Sequence, residues 1–296
     1  MKTYLLYNPH AGIGNGQQEA GRLAARYDGE VICTDITTVE SYASLFAELE
    51  QTDRVVLCGG DGTINRFVND TEGLDIKCEL LYYAVGTGND FLKDLGKETG
   101  CDPFDLKPYI QNLPFVEVNG KKYRFLNGIG FGIDGYCCEE GDKQKATGKK
   151  NINYTAIAIK GLLFKFKPRN ATVTVDGVSY TYKKAWIAAS MKGRYYGGGM
   201  MTAPDQDRLA GSGEMTLVLM YGKGKLKTLM VFPSIFKGEH VNHTEMVAVH
   251  TGKEITVTFD KPCALQIDGE THLNVSSYTV HAAQVAARVE EAPATV

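Results

Sequence analysis

The chain has no apolar run approaching the roughly 18 to 20 residues of a membrane-spanning helix. The apolar run at its start is too short for a secretory signal, so any membrane contact is expected to be peripheral. Basic residues are not in excess: 32 Lys and Arg against 35 Asp and Glu leave a formal charge of -3. Nucleic-acid affinity rests largely on Lys and Arg neutralising phosphates, so no nucleic-acid partner is expected. The cysteines at 33, 58, 78, 101, 137, 138 and 263 show neither CxxC spacing nor a nearby histidine cluster. That argues against a zinc site and a disulfide framework, and suits a reducing cytoplasm. The histidines are isolated, no repeat or low-complexity segment occurs, and the single Trp186 lies in an apolar run that reads as core.

What is present is a globular composition, 43% hydrophobic and 23% charged, over 296 residues. That length exceeds one compact core and predicts two domains. Up to about Phe115, short apolar runs alternate with helical periodicity, the pattern of an α/β domain with an open, mostly parallel sheet. Strands are expected at Thr3–Tyr7, Glu30–Thr34, Arg54–Cys58 and Leu80–Val85, with helices at Gln17–Tyr27 and Ser41–Leu49, the latter capped by Ser41. Beyond Phe115 the period falls to two, with Asn119-Gly120 and Asp176-Gly177 as turn signals. The clearest strands there are Ala171–Asp176, Val178–Tyr182, Ala185–Met191, Glu214–Met220, Glu254–Phe259 and Ala264–Ile267, interrupted by helical segments at Tyr154–Phe166 and Leu226–Phe236. The domains are placed at residues 1–122, with segment 281–296 returning to the first, and 123–280.

The strongest chemical signal is Cys58-Gly59-Gly60-Asp61-Gly62-Thr63-Ile64-Asn65, between an apolar strand and a helix. Glycines admit a ligand close to the backbone, and the helix N-terminus offers free N–H groups to phosphate oxygens. There is no Walker lysine and no Gly-x-Gly-x-x-Gly spacing, so neither a P-loop nor a Rossmann reading fits. A carboxylate such as Asp61 beside phosphates calls for a cation between them, which suggests Mg²⁺. The plainer alternative is a tight turn that needs glycine. A second cluster, Gly86-Thr87-Gly88-Asn89-Asp90-Phe91, and a third, Asn8-Pro9-His10-Ala11-Gly12, also follow strand ends. Ligands of open α/β sheets bind in the crevice at such ends.

These residues resemble the diacylglycerol-kinase catalytic domain, shared by bacterial lipid kinases and sphingosine kinases. Carrying the likeness over nearly the whole chain are the clusters at 8–12, 59–63 and 86–91, then Gly197-Gly198-Gly199-Met200 leading to Ala203-Pro204, Gly238-Glu239-His240 and Asp268-Gly269-Glu270. Gly-Gly-Asp-Gly alone is shared with NAD kinases and phosphofructokinases, whereas the ordered set is specific. The resemblance implies a first domain like that of those kinases, a C-terminal β-sandwich covering the cleft, and an ATP- and Mg²⁺-dependent transfer to a lipid hydroxyl. By it, Asn8, Pro9, Ala11, Gly12, Thr37, Gly59, Gly60, Gly62, Thr63, Asn65, Arg66, Gly86, Thr87 and Asn89 would contact ATP. Asp61 and Asp90 would organise the catalytic Mg²⁺, and Glu270 would be the general base, a role that a carboxylate from the opposite domain suits. Its alternative is an exposed Glu after an Asp-Gly hairpin turn.

Four positions depart from the family pattern. Arg66 stands where the family has Glu, and Glu117, a further catalytic candidate, stands where Asp is usual. The segment Asp205–Glu214 is longer than in relatives that hold a structural Mg²⁺ there, leaving Asp207 and Ser212 as its candidate ligands, and Gly12–Gly16 is richer in glycine.

Two basic apolar segments bear on how a lipid is reached: Ala156–Lys167, with Lys160, Lys165 and Lys167, and Lys223–Lys237. Such segments lie on anionic membranes or pack as core helices with snorkelling lysines. Tyr195 and Tyr196 are candidates to line the cleft, His240 is read as structural or near-site, and a homodimer is a possible assembly. Two alternatives stay open beside the lipid kinase. One is a kinase of a soluble acceptor such as NAD; the other is an idle nucleotide- or lipid-binding module.

Overall fold

The computed structural model describes residues 1–12, 14–86, 89–149 and 152–283. The first domain runs β1 (Thr3–Tyr7), α1 (Gly16–Ala24), β2 (Val31–Asp35), α2 (Tyr42–Ala47), β3 (Arg54–Gly59), α3 (Asp61–Asp70), β4 (Glu79–Ala84), α4 (Asp90–Asp94), β5 (Phe104–Asp105) and α5 (Lys107–Ile110). Its sheet has the order β2-β1-β3-β4-β5, parallel except for β5. Strands buried on both faces must be apolar throughout. In β3, Val55, Val56, Leu57 and Cys58 are fully buried, each face sending alternate residues to its own core cluster. Ser41 caps α2 by accepting from the Ser44 N–H at 3.2 Å.

The second domain contains β6 (Phe115–Val118), β7 (Lys121–Arg124), β8 (Gly128–Gly132), α6 (Ile133–Ala146), α7 (Tyr154–Lys160), β9 (Arg169–Val175), β10 (Val178–Ala185), β11 (Ile187–Met191), β12 (Tyr195–Tyr196), β13 (Met200–Met201), β14 (Met215–Met220), α8 (Lys225–Val231), β15 (Val247–Gly252), β16 (Glu254–Ile267) and β17 (Glu270–His281). Ten strands form one hydrogen-bonded net, folded over on itself because β16 pairs with β9 through Ile255–Phe259 and with β8 through Leu265–Ile267. The register breaks between Thr258 and Leu265, a bulge of the kind that bends a strand from one layer into the other. Between the layers lie Phe131, Val173, Leu217, Val257, Tyr278 and their neighbours. Burying each such side chain stabilises by about 1.5–3 kcal/mol. Outside the net, α6, α7 and α8 pack on a second apolar cluster that includes Trp186.

Three expectations are corrected. The boundary at residue 122 falls inside the β6–β7 hairpin, which belongs wholly to the second sheet through pairing of β6 with β17; the change of sheet comes between Asp105 and Phe115. Glu254–Phe259 and Ala264–Ile267 are one bent strand rather than two. The two apolar helices break early, α7 into a π turn at Gly161–Lys165 and α8 into a 3₁₀ turn at Phe232–Lys237, where Pro233 lacks an N–H to donate. Of segment 281–296, only His281 to Ala283 fall in the described residues, and His281 ends a strand of the second sheet.

Candidate active site

The sheet order 2-1-3-4-5 reverses direction between β1 and β3, so the crevice for a ligand opens beyond their carboxyl ends. The three glycine clusters meet there. Gly12 and Gly86, at φ +65° and +95°, approach so closely that a Cβ on Gly86 would stand 2.5 Å from the Gly12 Cα. A Cβ on Gly59 would stand 2.3 Å from Thr63 Oγ1, the atom to which Asn8 Nδ2 donates at 2.9 Å. The first turn of α3 has no side-chain cap at Gly60, and Gly60 and Gly62 both face open space. Thr63 N–H and Ile64 N–H donate to Gly60 O, so the N–H groups of Asp61 and Gly62 and the positive end of the helix remain available to an anion.

Asp61 opens α3. Its Oδ2 accepts from Asp90 N at 2.8 Å, Phe91 N at 3.3 Å and Asn127 Nδ2 at 3.0 Å, while its Oδ1 is buried with no hydrogen-bond partner. Burial, with the Asp90 charge next in size, pushes the Asp61 carboxyl up to about 7. Asp90 accepts from Gly199 N at 2.6 Å and Gly198 N at 2.8 Å, and burial raises its pKa too. The Gly197–Gly199 turn of the second domain, at positive φ throughout, thus clasps a carboxylate of the first. Two buried carboxylates, one with an unpartnered oxygen, suit a divalent cation brought in with a nucleotide, a setting in which Mg²⁺ typically takes one or two carboxylates plus phosphates.

Both Asp61 and Asp90 open onto a cavity of about 700 Å³ between the domains. Its lining also carries the polar side chains of Asn127, Asp134, Gln266 and Asp268, and the apolar ones of Ile133, Ile187, Met200, Phe232 and Phe236 beside Tyr196. Asp134, in the first turn of α6, accepts from Gln266 Nε2 at 3.0 Å, and burial pushes it up to about 6. Gln266 Oε1 in turn accepts from Gly269 N at 2.7 Å. Asp268 and Gly269, at φ +45° and +92°, form the two-residue turn between β16 and β17. Asp268 accepts from the backbone N–H groups of Leu126, Asn127 and Gly128 and from Asn65 Nδ2. Burial raises its pKa against the opposing effect of those donors.

The other candidates fall as follows. Asn65 spans the domains through Asp268 and Arg124 O, and Asn89 caps α4 while donating to the Tyr82 hydroxyl at 2.6 Å. Ala11 is buried beside the crevice, and Pro9 precedes it in the loop. Thr37 bonds Asp35 within its own 3₁₀ turn, and Arg66 pairs with Asp70 on the solvent face of α3. Thr87 lies outside the described residues. Glu270 is exposed, one residue past the cavity wall at Gly269. Glu117 is not brought to the cavity: it sits on β6 opposite Lys122 at 3.0 Å. Asp207 and Ser212 are exposed and bond the backbone of their own turns, and no cluster of three or more metal-ligating side chains occurs among the described residues. Tyr196 lines the cavity, whereas Tyr195 packs under Lys93, and His240 Nε2 bonds Thr202 O, buried.

Asn127, Asp134 and Gln266 were not singled out from sequence. Asp134 had one signal, a carboxylate at the start of a helix after a glycine-rich strand, where helix ends gather charge. Asn127 and Gln266 had none, because an isolated amide has no spacing to read.

Residues 2–110 match the model of the diacylglycerol kinase catalytic domain, and residues 127–288 match that of the YegS C-terminal NAD kinase beta sandwich-like domain. A diacylglycerol kinase of Mycobacterium tuberculosis is 24% identical over 273 residues, covering 88% of this chain and 85% of the relative. A diacylglycerol kinase of Bacillus subtilis is 24% identical over 280 residues, covering 91% and 89%. The crystal structure of a diacylglycerol kinase from Bacillus anthracis superposes with a TM-score of 0.63 at 23% identity, covering 96% of this chain and 94% of that one, a likeness of fold.

Proposed function

We propose, from the premise that this chain belongs to the diacylglycerol kinase catalytic domain family and is therefore a kinase, that it transfers the γ-phosphate of ATP to a hydroxyl of diacylglycerol or a related lipid alcohol. The observation that carries the reading is one cavity with two natures. Its lining includes the carboxylates Asp61 and Asp90, which belong to the glycine loops, and apolar side chains from α6, α7 and the Phe232–Lys237 turn. A phosphate donor suits the first and an acyl chain the second. A soluble acceptor such as NAD would leave the apolar lining unused.

In this reading the N–H groups at the start of α3 and the Gly12 and Gly86 backbones hold the phosphates. Asp61 and Asp90 hold Mg²⁺, which when bound neutralises charge on the transferred group. Glu270 takes the proton of the lipid hydroxyl from the rim. A second assignment of the base rests on one observation: Asp61, which lines the cavity, keeps an unpartnered Oδ1 and has its carboxyl pushed up to about 7, has the properties of a general base itself.

The lipid is reached from a bilayer surface. Phe164, Leu226 and Met230 are 72%, 74% and 76% exposed, and Phe236 is both exposed and part of the cavity wall. Lys160, Lys165, Lys225, Lys227 and Lys237, in the same two segments, are exposed too. Among the described residues no helix is long and apolar enough to cross a membrane. Exposed apolar side chains interspersed with lysines favour shallow insertion into an anionic surface.

The test is transfer of labelled γ-phosphate from ATP with Mg²⁺ to a lipid mixture in micelles, with NAD offered in parallel. Label in one lipid species is expected. Label on NAD, or no transfer despite ATP binding, would replace this reading by one of the two alternatives.

A further inference from the structure

We propose that Arg208 is a positioning residue for phosphoryl transfer: it fixes the Asn127 side-chain amide so that this amide holds the Asp61 carboxylate by Oδ2 and leaves Oδ1 unpartnered. The inference rests on the role given to Asp61 above. Arg208 lies in the loop before β14 and is 5% exposed. Its Nε donates to Asp94 Oδ2 at 2.7 Å, its Nη1 to Leu126 O at 2.7 Å and its Nη2 to Asn127 Oδ1 at 2.8 Å. The guanidinium lies over the Phe91 ring, 4.8 Å from its centroid. The far end of the same amide, Asn127 Nδ2, donates to Asp61 Oδ2 at 3.0 Å.

The chemistry of the four groups gives this chain a direction. A guanidinium only donates and an ionised carboxylate only accepts, so one orientation of the Asn127 amide satisfies both neighbours. Without Arg208 the amide is free to turn its oxygen towards Asp61 and repel it. The contact is tight on the remaining side: a Cβ on Gly193 would stand 2.2 Å from Arg208 Nη2. Arg208 also reaches α4, the helix that begins with Asp90, through Asp94. Asp94 keeps a second partner, Arg194 Nε at 2.8 Å, so it is not left alone when Arg208 is replaced. A buried guanidinium is a costly way merely to hold a fold together; here it bonds α4, which carries Asp90, and the Asn127 amide that bonds Asp61.

The experiment compares Arg208→Gln, Asn127→Ala, their double variant and Asp61→Asn. Two quantities are read: kcat and KM for ATP. Each of the first two variants is expected to lose about 10- to 100-fold in kcat, with a smaller change in KM. The double variant should lose no more than the worse single, as residues in one chain do. Losses that multiply, a KM for ATP that rises as much as kcat falls, or a loss matched by the unfolded fraction would overturn the proposal. If Arg208→Gln does not fold, Arg208→Lys makes the same comparison, since lysine keeps the charge beside Asp94 but not the fork that reaches Asn127; parental kcat there would equally overturn it. Full turnover in Asp61→Asn would sink the role of Asp61 and this inference with it. Turnover lost there, but parental in Arg208→Gln and Asn127→Ala, would sink this inference alone.

Discussion

Asp268 accepts a 2.8 Å hydrogen bond from Asn65, a residue 203 positions earlier, and so ties the β16–β17 turn of the second domain to helix α3 of the first. The same carboxylate gathers the N–H groups of Leu126, Asn127 and Gly128, where the chain enters the sandwich proper. One side chain therefore sets the relation of cavity wall, domain junction and α3.

Asp268→Asn should loosen that junction. An amide has one acceptor oxygen for four donors and sets its own N–H groups against the others. A loss of about 1–3 kcal/mol is expected for unsatisfied partly buried groups, read as a lower denaturant midpoint. An unchanged midpoint would show that the clamp does not bear on stability.

Asp61 gives a pH signature without any substrate. Its carboxyl is raised from an ordinary 3.8 to about 7, so the folded chain keeps a proton over a window in which the unfolded chain has lost it. The resulting contribution is full below about pH 4 and is lost as pH rises through about 7. Asp61→Asn cannot ionise and should gain in Tm over the parent as pH is taken from about 5 to about 8, by about 2–4 °C for each kcal/mol relieved. A gap that stays constant with pH would contradict the raised value.

The two candidates for the base separate kinetically. Glu270→Gln should lower kcat about 10²- to 10⁴-fold with little effect on ATP binding if Glu270 takes the proton. If Asp61 takes it, Glu270→Gln keeps most of the turnover and the acid limb of the parent's kcat profile lies near neutral pH.

Gly86→Ala should cripple nucleotide binding. The new methyl would meet the Gly12 Cα at 2.5 Å in a residue held at φ +95°, and positive-φ strain alone costs of order 1–3 kcal/mol. Calorimetric ATP titration reads it, and parental affinity would remove the Gly12–Gly86 contact from the phosphate cradle.

Replacing Phe164, Leu226 and Met230 together by Ser should raise KM for diacylglycerol in anionic vesicles while leaving KM for a short-chain, monomeric diacylglycerol unchanged. Equal effects on both substrates would assign these side chains to the cavity rather than to a surface.

Much of this was legible in sequence because it depends on local pattern. Apolar runs such as Arg54–Gly59 fix strands, Ser41 fixes a helix start, Asp268-Gly269 fixes a hairpin turn, and glycine-bracketed Asp61 and Asp90 mark a ligand crevice at strand ends. The misplaced boundary at 122 has a physical cause: the β6–β7 hairpin has no local feature that says which sheet it joins, and only pairing with β17 decides it.

Tertiary structure alone decided which polar groups meet. Asn127, Asp134, Gln266 and Arg208 lie on four separate elements or loops, and their bonds to Asp61, to one another and to the cavity arise from long-range packing that leaves no spacing in the chain. Glu117, by contrast, matched a pattern position yet faces Lys122 on an outer hairpin. Residue type and local period determined the elements and the glycine loops of this protein; the bend in β16 and the Asp268 clamp determined what those loops confront, because burial acts on whichever groups the folded surfaces bring into contact.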